Sequence, residues 1–430
     1  MIDSIQTEPP AAQETAASWH LDPLVNWLMM EAWKVTSTNR LLAEVCRHLT
    51  GDGMPIWRMR CLIRTLHPQV IGKSYTWHPN QELAGEFSAP LEILGTPAYL
   101  NNPFAQIVEG AGTIHRKLTD GDDELDFPIL EQLREEGGTD YVAIPVPFSD
   151  GRINAISLTS DEPRGFDSDD LRRLGNILPA LSRLLEVQAL RRMATILLDT
   201  YLGKHTGERV LKGLVKRGDG EDIHAVIWFC DLRDSTQLAE SMSREAFLAI
   251  LNDFFDCLAG AVVDNGGEVL RFIGDSALAI FPTDKTADTE RSCCNTPKAC
   301  EQALAAARDA QARMESFNRE RGKRGESPID FGLGLHMGEL TYGNIGIPGR
   351  LEFTVIGTAA NEAARIEGLC KKLGHRILIS DEFARCSKGK FLSQGHHQLA
   401  GVGTPREVFT LLPEDGPATI VVTSCSRENC

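Results

Sequence analysis

The chain is short of positive charge. Its 430 residues carry 44 Lys and Arg against 60 Asp and Glu, a net charge of -16 with histidines neutral. Broad nucleic-acid or anionic-membrane binding needs a basic face, so neither partner is expected. A small anionic ligand stays open, provided metal ions or backbone amides neutralise it locally. No apolar run in the sequence approaches the length of a membrane span. The opening "MIDSIQTEPPAAQETAAS" has neither the basic nor the apolar stretch of a signal peptide and reads as a disordered tail. A cytoplasmic location is the resulting expectation. A disulfide framework is also missing: eleven cysteines, an odd number spread along a long chain, fit reduced thiols. Cys293, Cys294 and Cys300 cluster in "RSCCNTPKAC", yet no fourth ligand is near and the spacing matches no common zinc site. That stretch reads as a loop entering a helix.

What is present is globular: 42% hydrophobic and 24% charged residues, in a chain too long for one ordinary core. Two domains are expected. Residues 18–49 read as helical, with Ser/Thr/Asn starters and a glycine stop in "TSTNRLLAEVCRHLTGDG". "VIGKSYTWH" reads as a strand, and "FPILEQLREEGG" as a short helix with Pro128 in its first turn. "DYVAIPVPFSDGRINAISLTS" places two apolar runs about Asp150-Gly151, a hairpin signal. The leucines of residues 166–202 repeat three and four apart, a long helix interrupted at Pro179.

This order of elements resembles a GAF-type sensory domain, chiefly through the hairpin and the following "PRGFDSDDLRRLGNILPALS". The resemblance implies an α/β regulatory domain at residues 18–190 that binds a small ligand or dimerises. Trp57, Trp77, His67, His78, Cys46 and Cys61 suggest a cofactor, but isolated residues of these types read as packing or surface features. Residues 1–17 and 413–430 read as tails. Residues 191–222 read as a helical linker, and the helix Leu171–Leu198 as a dimerising connector.

Beyond the linker the pattern alternates strand, helix, strand. "HAVIWFCDL", a helical stretch ending at a glycine pair, the hairpin "VLRFIGDSALAIF" and an Ala-rich helix come first. The strand "IDFGLGLHMGE", "EFTVIGT", the helix "AANEAARIEGLCKKLG" and two closing strands follow. The fold class expected is α+β, a split βαβ arrangement with helices on one face of a largely antiparallel sheet. Asp231 ends the first strand, and Asp275 tips the hairpin beside Gly274. If the hairpin lies beside that strand, the two carboxylates meet at one edge. Such a pair repels itself unless a cation intervenes. Magnesium suits it, because it takes oxygen ligands and shares them with substrate phosphates.

Four segments in order, "FCDLRDST", "RFIGDSALAIF", "GLGLHMGELTYGNIG" and "FTVIGTAANEAAR", resemble the catalytic domain of a class III nucleotidyl cyclase, over residues 223–412. The resemblance implies a ferredoxin-like split βαβ domain. It also implies two domains pairing head to tail as a homodimer with the active site between them. Asp231 and Asp275 then hold two Mg²⁺ or Mn²⁺ per site, with the Leu232 carbonyl as a further ligand. Asn361 orients the ribose and Arg365 stabilises charge on the α-phosphate; four apart on a helix, both project from one face. The products are a cyclic 3′,5′-nucleotide and pyrophosphate.

The base-selecting positions of the family fall on Arg271 and Thr354. Arginine only donates, so it serves adenine N1 and cannot accept the guanine N1 hydrogen. The Thr354 hydroxyl accepts from adenine N6. ATP is expected, although adenylate cyclases of the family usually have Lys rather than Arg at 271 and Arg also reaches guanine O6. Other departures concern the triphosphate. Ala400 stands where the family often has Lys, Gly332 at a basic position, and Asp234 at a frequent Gly. The grip is expected to rest on metals, backbone N–H groups, Ser235, Thr236 and Arg233. The resulting reading is an adenylate cyclase regulated by its N-terminal domain. Its rivals are a guanylate cyclase and a degenerate cyclase domain serving as a nucleotide-binding module.

Overall fold

The structure is a computed structural model, and it describes residues 22–65, 67, 70–119, 125–283 and 296–412. Both expected tails, Cys293 and Cys294 lie outside the described residues. The chain forms two compact units, Met1–Leu197 and Leu198–Cys430.

Among the described residues of the first unit, six strands make one antiparallel sheet. They are β1 (Arg58–Arg64), β2 (Val70–Trp77), β3 (Gly85–Pro90), β4 (Ile114–Lys117), β5 (Asp140–Pro147) and β6 (Ile153–Ser160). Their order across the sheet is β3-β2-β1-β6-β5-β4. Helices α1 (Pro23–Met30), α2 (Thr38–Gly51), α3 (Pro97–Leu100), α4 (Pro103–Val108), α5 (Pro128–Glu135) and α6 (Ser168–Leu202) accompany it. The alternation along β1 sorts the two faces. Met59, Cys61 and Ile63 pack with the leucines of α1, α2 and α6, whereas Leu62 packs with Phe104, Ile107 and Leu130 of α4 and α5. Strand β2, helix α5 with proline in its first turn and the β5–β6 hairpin lie where the sequence places them. Trp77, Cys46 and Cys61 are core residues, and Trp57 meets His78 edge-on at 5.9 Å.

One expectation is corrected here: α6 is not interrupted at Pro179 but continues through it. Proline forfeits one helical hydrogen bond. Leu174, Ile177, Leu181 and Leu185, all buried on the same stripe, hold the helix in place across that gap. Residues expected as linker complete α6, then form α7 (Lys204–Leu211) and open the next strand at Gly220.

The second unit contains β7 (Gly220–Leu232), α8 (Ser235–Ser241), α9 (Arg244–Asp264), β8 (Glu268–Ile273), β9 (Ser276–Pro282) and α10 (Thr296–Lys323). Then come β10 (Phe331–Ile347), β11 (Arg350–Ile356), α11 (Thr358–Leu373), β12 (Ile377–Ser380), α12 (Asp381–Cys386), β13 (Phe391–His397) and β14 (Arg406–Leu411). The sheet order is β13-β14-β12-β10-β7-β9-β8, with β11 added on β10. Only β10 and β12 pair in parallel among the described strands. This is a mixed α/β fold, as expected, but the helices do not share one face. Val226, Trp228 and Cys230 of β7 pack toward α9 and α10, while Ala225 and Ile227 pack toward Ala359 and Ala363 of α11. Central β7 is therefore apolar on both sides, which explains its unbroken run "AVIWFC".

Helix α11 comes close to β10 because that strand offers glycines on the facing side. A Cβ at Gly334 would collide with the Ala363 carbonyl, and one at Gly338 would lie 2.7 Å from the Ala359 Cβ. The long side chains of β10, Phe331, Leu333 and Leu335, go to the opposite face. A further correction concerns α9, which is long and apolar enough to span a membrane by length and composition. Asp253 and Asp256 lie in its middle, and Ile250, Phe254, Leu258, Ala261 and Val262 on its inner face belong to the core. Each such large side chain removed from water contributes about 1.5–3 kcal/mol. Cys300 is buried in α10, its Sγ 3.9 Å from the Met337 sulfur.

Candidate active site

Strands β7 and β9 pair with Asp231 opposite Ser276. The hairpin of β8 and β9 turns through Gly274 and Asp275, with Ile273 opposite Ser276. Gly274 has φ 64° and Asp275 does not have positive φ, the pattern of a two-residue type II′ turn. The turn is tied to β7 by the Leu232 N–H, which donates to the Asp275 carbonyl at 3.3 Å. Asp231 and Asp275 thus meet at one end of adjacent strands.

Ser276 Oγ donates to Asp231 Oδ1 at 2.6 Å. Burial raises the Asp231 pKa above the usual carboxylate range; the Ser276 hydrogen bond opposes this and the charge of Asp275 adds to it. Among the described residues neither carboxylate has an ion pair. Two half-buried acids without a basic partner fit a divalent cation: binding one relieves both the burial cost and the mutual repulsion. The Leu232 side chain is buried in the core, so only its backbone is available to such an ion.

Sequence reasoning missed a third acid. Glu367 of α11 points at β10, and a Cβ at Gly332 would collide with its Oε1. Gly332 is the cross-strand partner of Asp231. Burial lifts the Glu367 carboxyl to about 7, with the charge of Asp231 next in importance; Arg233 opposes the shift. The glycines of "FGLGL" were the signal available, since alternate glycines on a central strand mark close approach by another element.

Arg233 is already engaged. Its Nη1 donates to Asp330 Oδ2 at 2.9 Å and its Nη2 donates to the His375 carbonyl, so it braces β7 against β10 and the end of α11. Asp234 has φ 55°, a left-handed conformation that glycine adopts without cost, and its Oδ1 accepts from Lys371 Nζ at 2.8 Å. Ser235 and Thr236 follow in the first turn of α8.

Asn361 and Arg365 line a cavity of about 420 Å³ with Thr358, Gly401, Thr404 and Arg406. Neither Asp231 nor Asp275 lines it. Arg365 lies over the turn after Ala400: a Cβ on Gly401 would be 3.4 Å from its Nη1. Among the described residues Arg365 has no ion pair. Arg406, which the sequence did not single out, pairs with Glu362 at 3.3 Å and Glu382 at 3.1 Å.

At the remaining pair of positions, Thr354 is buried on β11 and Arg271 is half-exposed on β8. Arg271 Nη1 lies 3.2 Å from Glu352 Oε1, a partner the sequence reading did not supply.

Comparison with known proteins finds relatives of residues 221–411. The family model of the adenylate and guanylate cyclase catalytic domain matches residues 221–411. An adenylate cyclase of Anabaena cylindrica is 36% identical over 163 residues, 37% of this chain and 30% of that protein. The chain spans about a third of the length of the curated relatives it matches. Among solved structures, the adenylyl cyclase CyaB from P. aeruginosa is 21% identical, with a TM-score of 0.38 over 45% of this chain and 96% of that one. The guanylyl cyclase Cya2 is 25% identical, with a TM-score of 0.38 over 46% of this chain and 98% of that one. Residues 221–411 are thus similar to the adenylate and guanylate cyclase catalytic domain.

Proposed function

We propose that this domain converts ATP to 3′,5′-cyclic AMP and pyrophosphate, at a site shared between two copies of the chain. One observation carries the reading. Asp231 and Asp275 meet at the ends of β7 and β9, whereas Asn361 and Arg365 line a cavity that neither acid reaches. Each chain then holds both halves of a site in separate places, and a head-to-tail pair brings unlike halves together twice.

The residues take the following roles. Asp231, Asp275 and the Leu232 carbonyl hold two Mg²⁺ or Mn²⁺, which supply polarisation of the ribose 3′-hydroxyl and charge neutralisation of the triphosphate. Asn361 hydrogen-bonds the ribose and fixes the direction of its hydroxyl. Arg365, without a carboxylate partner among the described residues, offers its guanidinium to the α-phosphate as negative charge builds there. Backbone N–H groups at Ser235 and Thr236, in the first turn of α8, face no intrahelical acceptor and suit phosphate oxygens. Arg233 contributes by bracing the Asp231 strand end. Arg271 donates to adenine N1 and Thr354 accepts from N6.

Glu352 favours a second reading. A carboxylate beside Arg271 accepts from guanine N1–H and the 2-amino group while the guanidinium donates to O6. Competition between ATP and GTP for the purified chain separates the two substrates. The first unit acts as regulator in this account, and its signal is a small ligand.

A further inference from the structure

The first unit contains a cavity of about 330 Å³ between the sheet and helices α3 to α5. That volume lies at the lower end of the range for pockets that enclose small organic ligands, about 300–1,000 Å³. Its walls are mainly apolar, including Leu62, Phe87, Ile93, Phe104 and Ile129. Among the described residues Arg60 is the only charged one in the lining.

Arg60 stands on β1 with its side chain on the face opposite Met59 and Cys61, which are core residues. It is mostly removed from water, and this burial lowers its pKa; the neighbouring Arg58 adds to the effect. Arg58 has Glu136 at 3.9 Å. Among the described residues Arg60 has no carboxylate within ion-pair distance. Its polar partner is a neutral hydroxyl, Ser74 Oγ, which accepts from its Nε at 3.0 Å. The Phe104 ring lies 5.8 Å from its guanidinium carbon. A hydroxyl and a ring face offset only part of the cost of an unpaired buried cation. Arg60 is one of the residues that line this mainly apolar cavity.

We propose that this cavity binds a small organic monoanion, a carboxylate with an aromatic or branched apolar body, with Arg60 as its anchor. A carboxylate matches the planar fork of arginine with two parallel hydrogen bonds. The single charge in the wall selects a single charge in the ligand: a nucleoside di- or triphosphate would bury further negative charge with no basic residue to meet it. The apolar walls select the body, since a bare anion gains nothing from them. This inference concerns a different unit from the catalytic domain and stands whatever that domain produces.

The test is calorimetric titration of the full chain with phenylacetate, its uncharged twin phenylacetamide, and acetate. Phenylacetate is expected to bind at least tenfold more tightly than either. Arg60→Gln is expected to bring phenylacetate and phenylacetamide to equal affinity, with circular dichroism reporting the fold. Should Arg60→Gln fail to fold, Arg60→Lys keeps the charge, loses the fork and is expected to weaken phenylacetate binding selectively. The proposal is overturned if phenylacetate and phenylacetamide bind alike to the unmodified chain. It is equally overturned if acetate matches phenylacetate, or if no probe binds up to about 10 mM.

Discussion

The carboxylate of Glu367 occupies the space in front of Gly332, where any side chain on β10 would stand. Gly332 lies directly across from Asp231, so this contact brings a third acid to the end of the sheet where Asp231 and Asp275 meet. The same contact accounts for a glycine at a position where the resemblance leads one to expect a base. Gly332→Ala is expected to destabilise the domain by about 1–3 kcal/mol through overpacking. Glu367→Ala in the same chain should recover most of that loss. Urea denaturation of the two single variants and the double variant measures the coupling; additive effects would remove the contact from the account.

Glu367 also sets a pH dependence in the metal-free protein. Its folded pKa is about 7 against an ordinary 4.5. A raised acid pKa means that the folded state holds the proton more tightly than the unfolded chain. The contribution to stability is full below the unfolded value and is lost as pH rises toward about 7. Glu367→Gln should flatten the fall in melting temperature across that window. Thermal melts in chelator at several pH values check this, and parallel pH profiles for both proteins would contradict it.

Ser276 donates to Asp231 at 2.6 Å and so orients one of the two proposed metal ligands. Removing a hydrogen bond that orients a metal ligand typically costs 10–100-fold in affinity, so Ser276→Ala is expected to weaken Mn²⁺ binding about tenfold. Titration followed by electron paramagnetic resonance of free Mn²⁺ reads the effect without any turnover. Asp231→Asn should abolish that binding and leave the free-ion signal at full strength at comparable concentrations.

Much of this site was legible in the sequence, and the reasons differ by residue. Asp231 and Asp275 are adjacent because strand and hairpin pair in register, and the apolar runs and Gly274 foretell both elements. Asn361 and Arg365 share a helix face through simple spacing. Glu367, Glu352 and Arg406 were not legible, because each acquires its partner from a different element: β10, β8 and α11 or α12 respectively. Arg233 looked free for phosphate, and only the fold reveals its commitment to Asp330. In the first unit, helix α6 outlasts Pro179 because burial along its stripe outweighs one missing hydrogen bond. The face-to-face placement of helices on both sides of the second sheet was foreshadowed by the double-sided apolar run of β7, which a one-faced sheet does not need.

Base choice is where Glu352 matters. Glu352→Gln removes the carboxylate that suits guanine's two donors while leaving Arg271 in place. Any turnover of GTP is expected to fall about tenfold in kcat/KM, with ATP changing far less. Parallel kinetics on the two nucleotides decide it, and an equal loss on both would assign Glu352 to holding Arg271 rather than reading the base.

Separate halves within one chain predict complementation. Asp275→Asn chains and Arg365→Ala chains should each be inactive alone. Mixed in equal amounts with random pairing, they should recover about a quarter of the unmodified rate, because half of the dimers carry one intact site of two. No recovery after verified subunit exchange would contradict a shared site.

The most direct test of the central claim is product analysis on the purified full chain incubated with ATP and Mn²⁺ or Mg²⁺. The account predicts 3′,5′-cyclic AMP and pyrophosphate in equal amounts, with Asp231→Asn yielding neither. ATP bound by the unmodified chain without release of pyrophosphate would contradict it and make residues 221–411 a nucleotide-binding module.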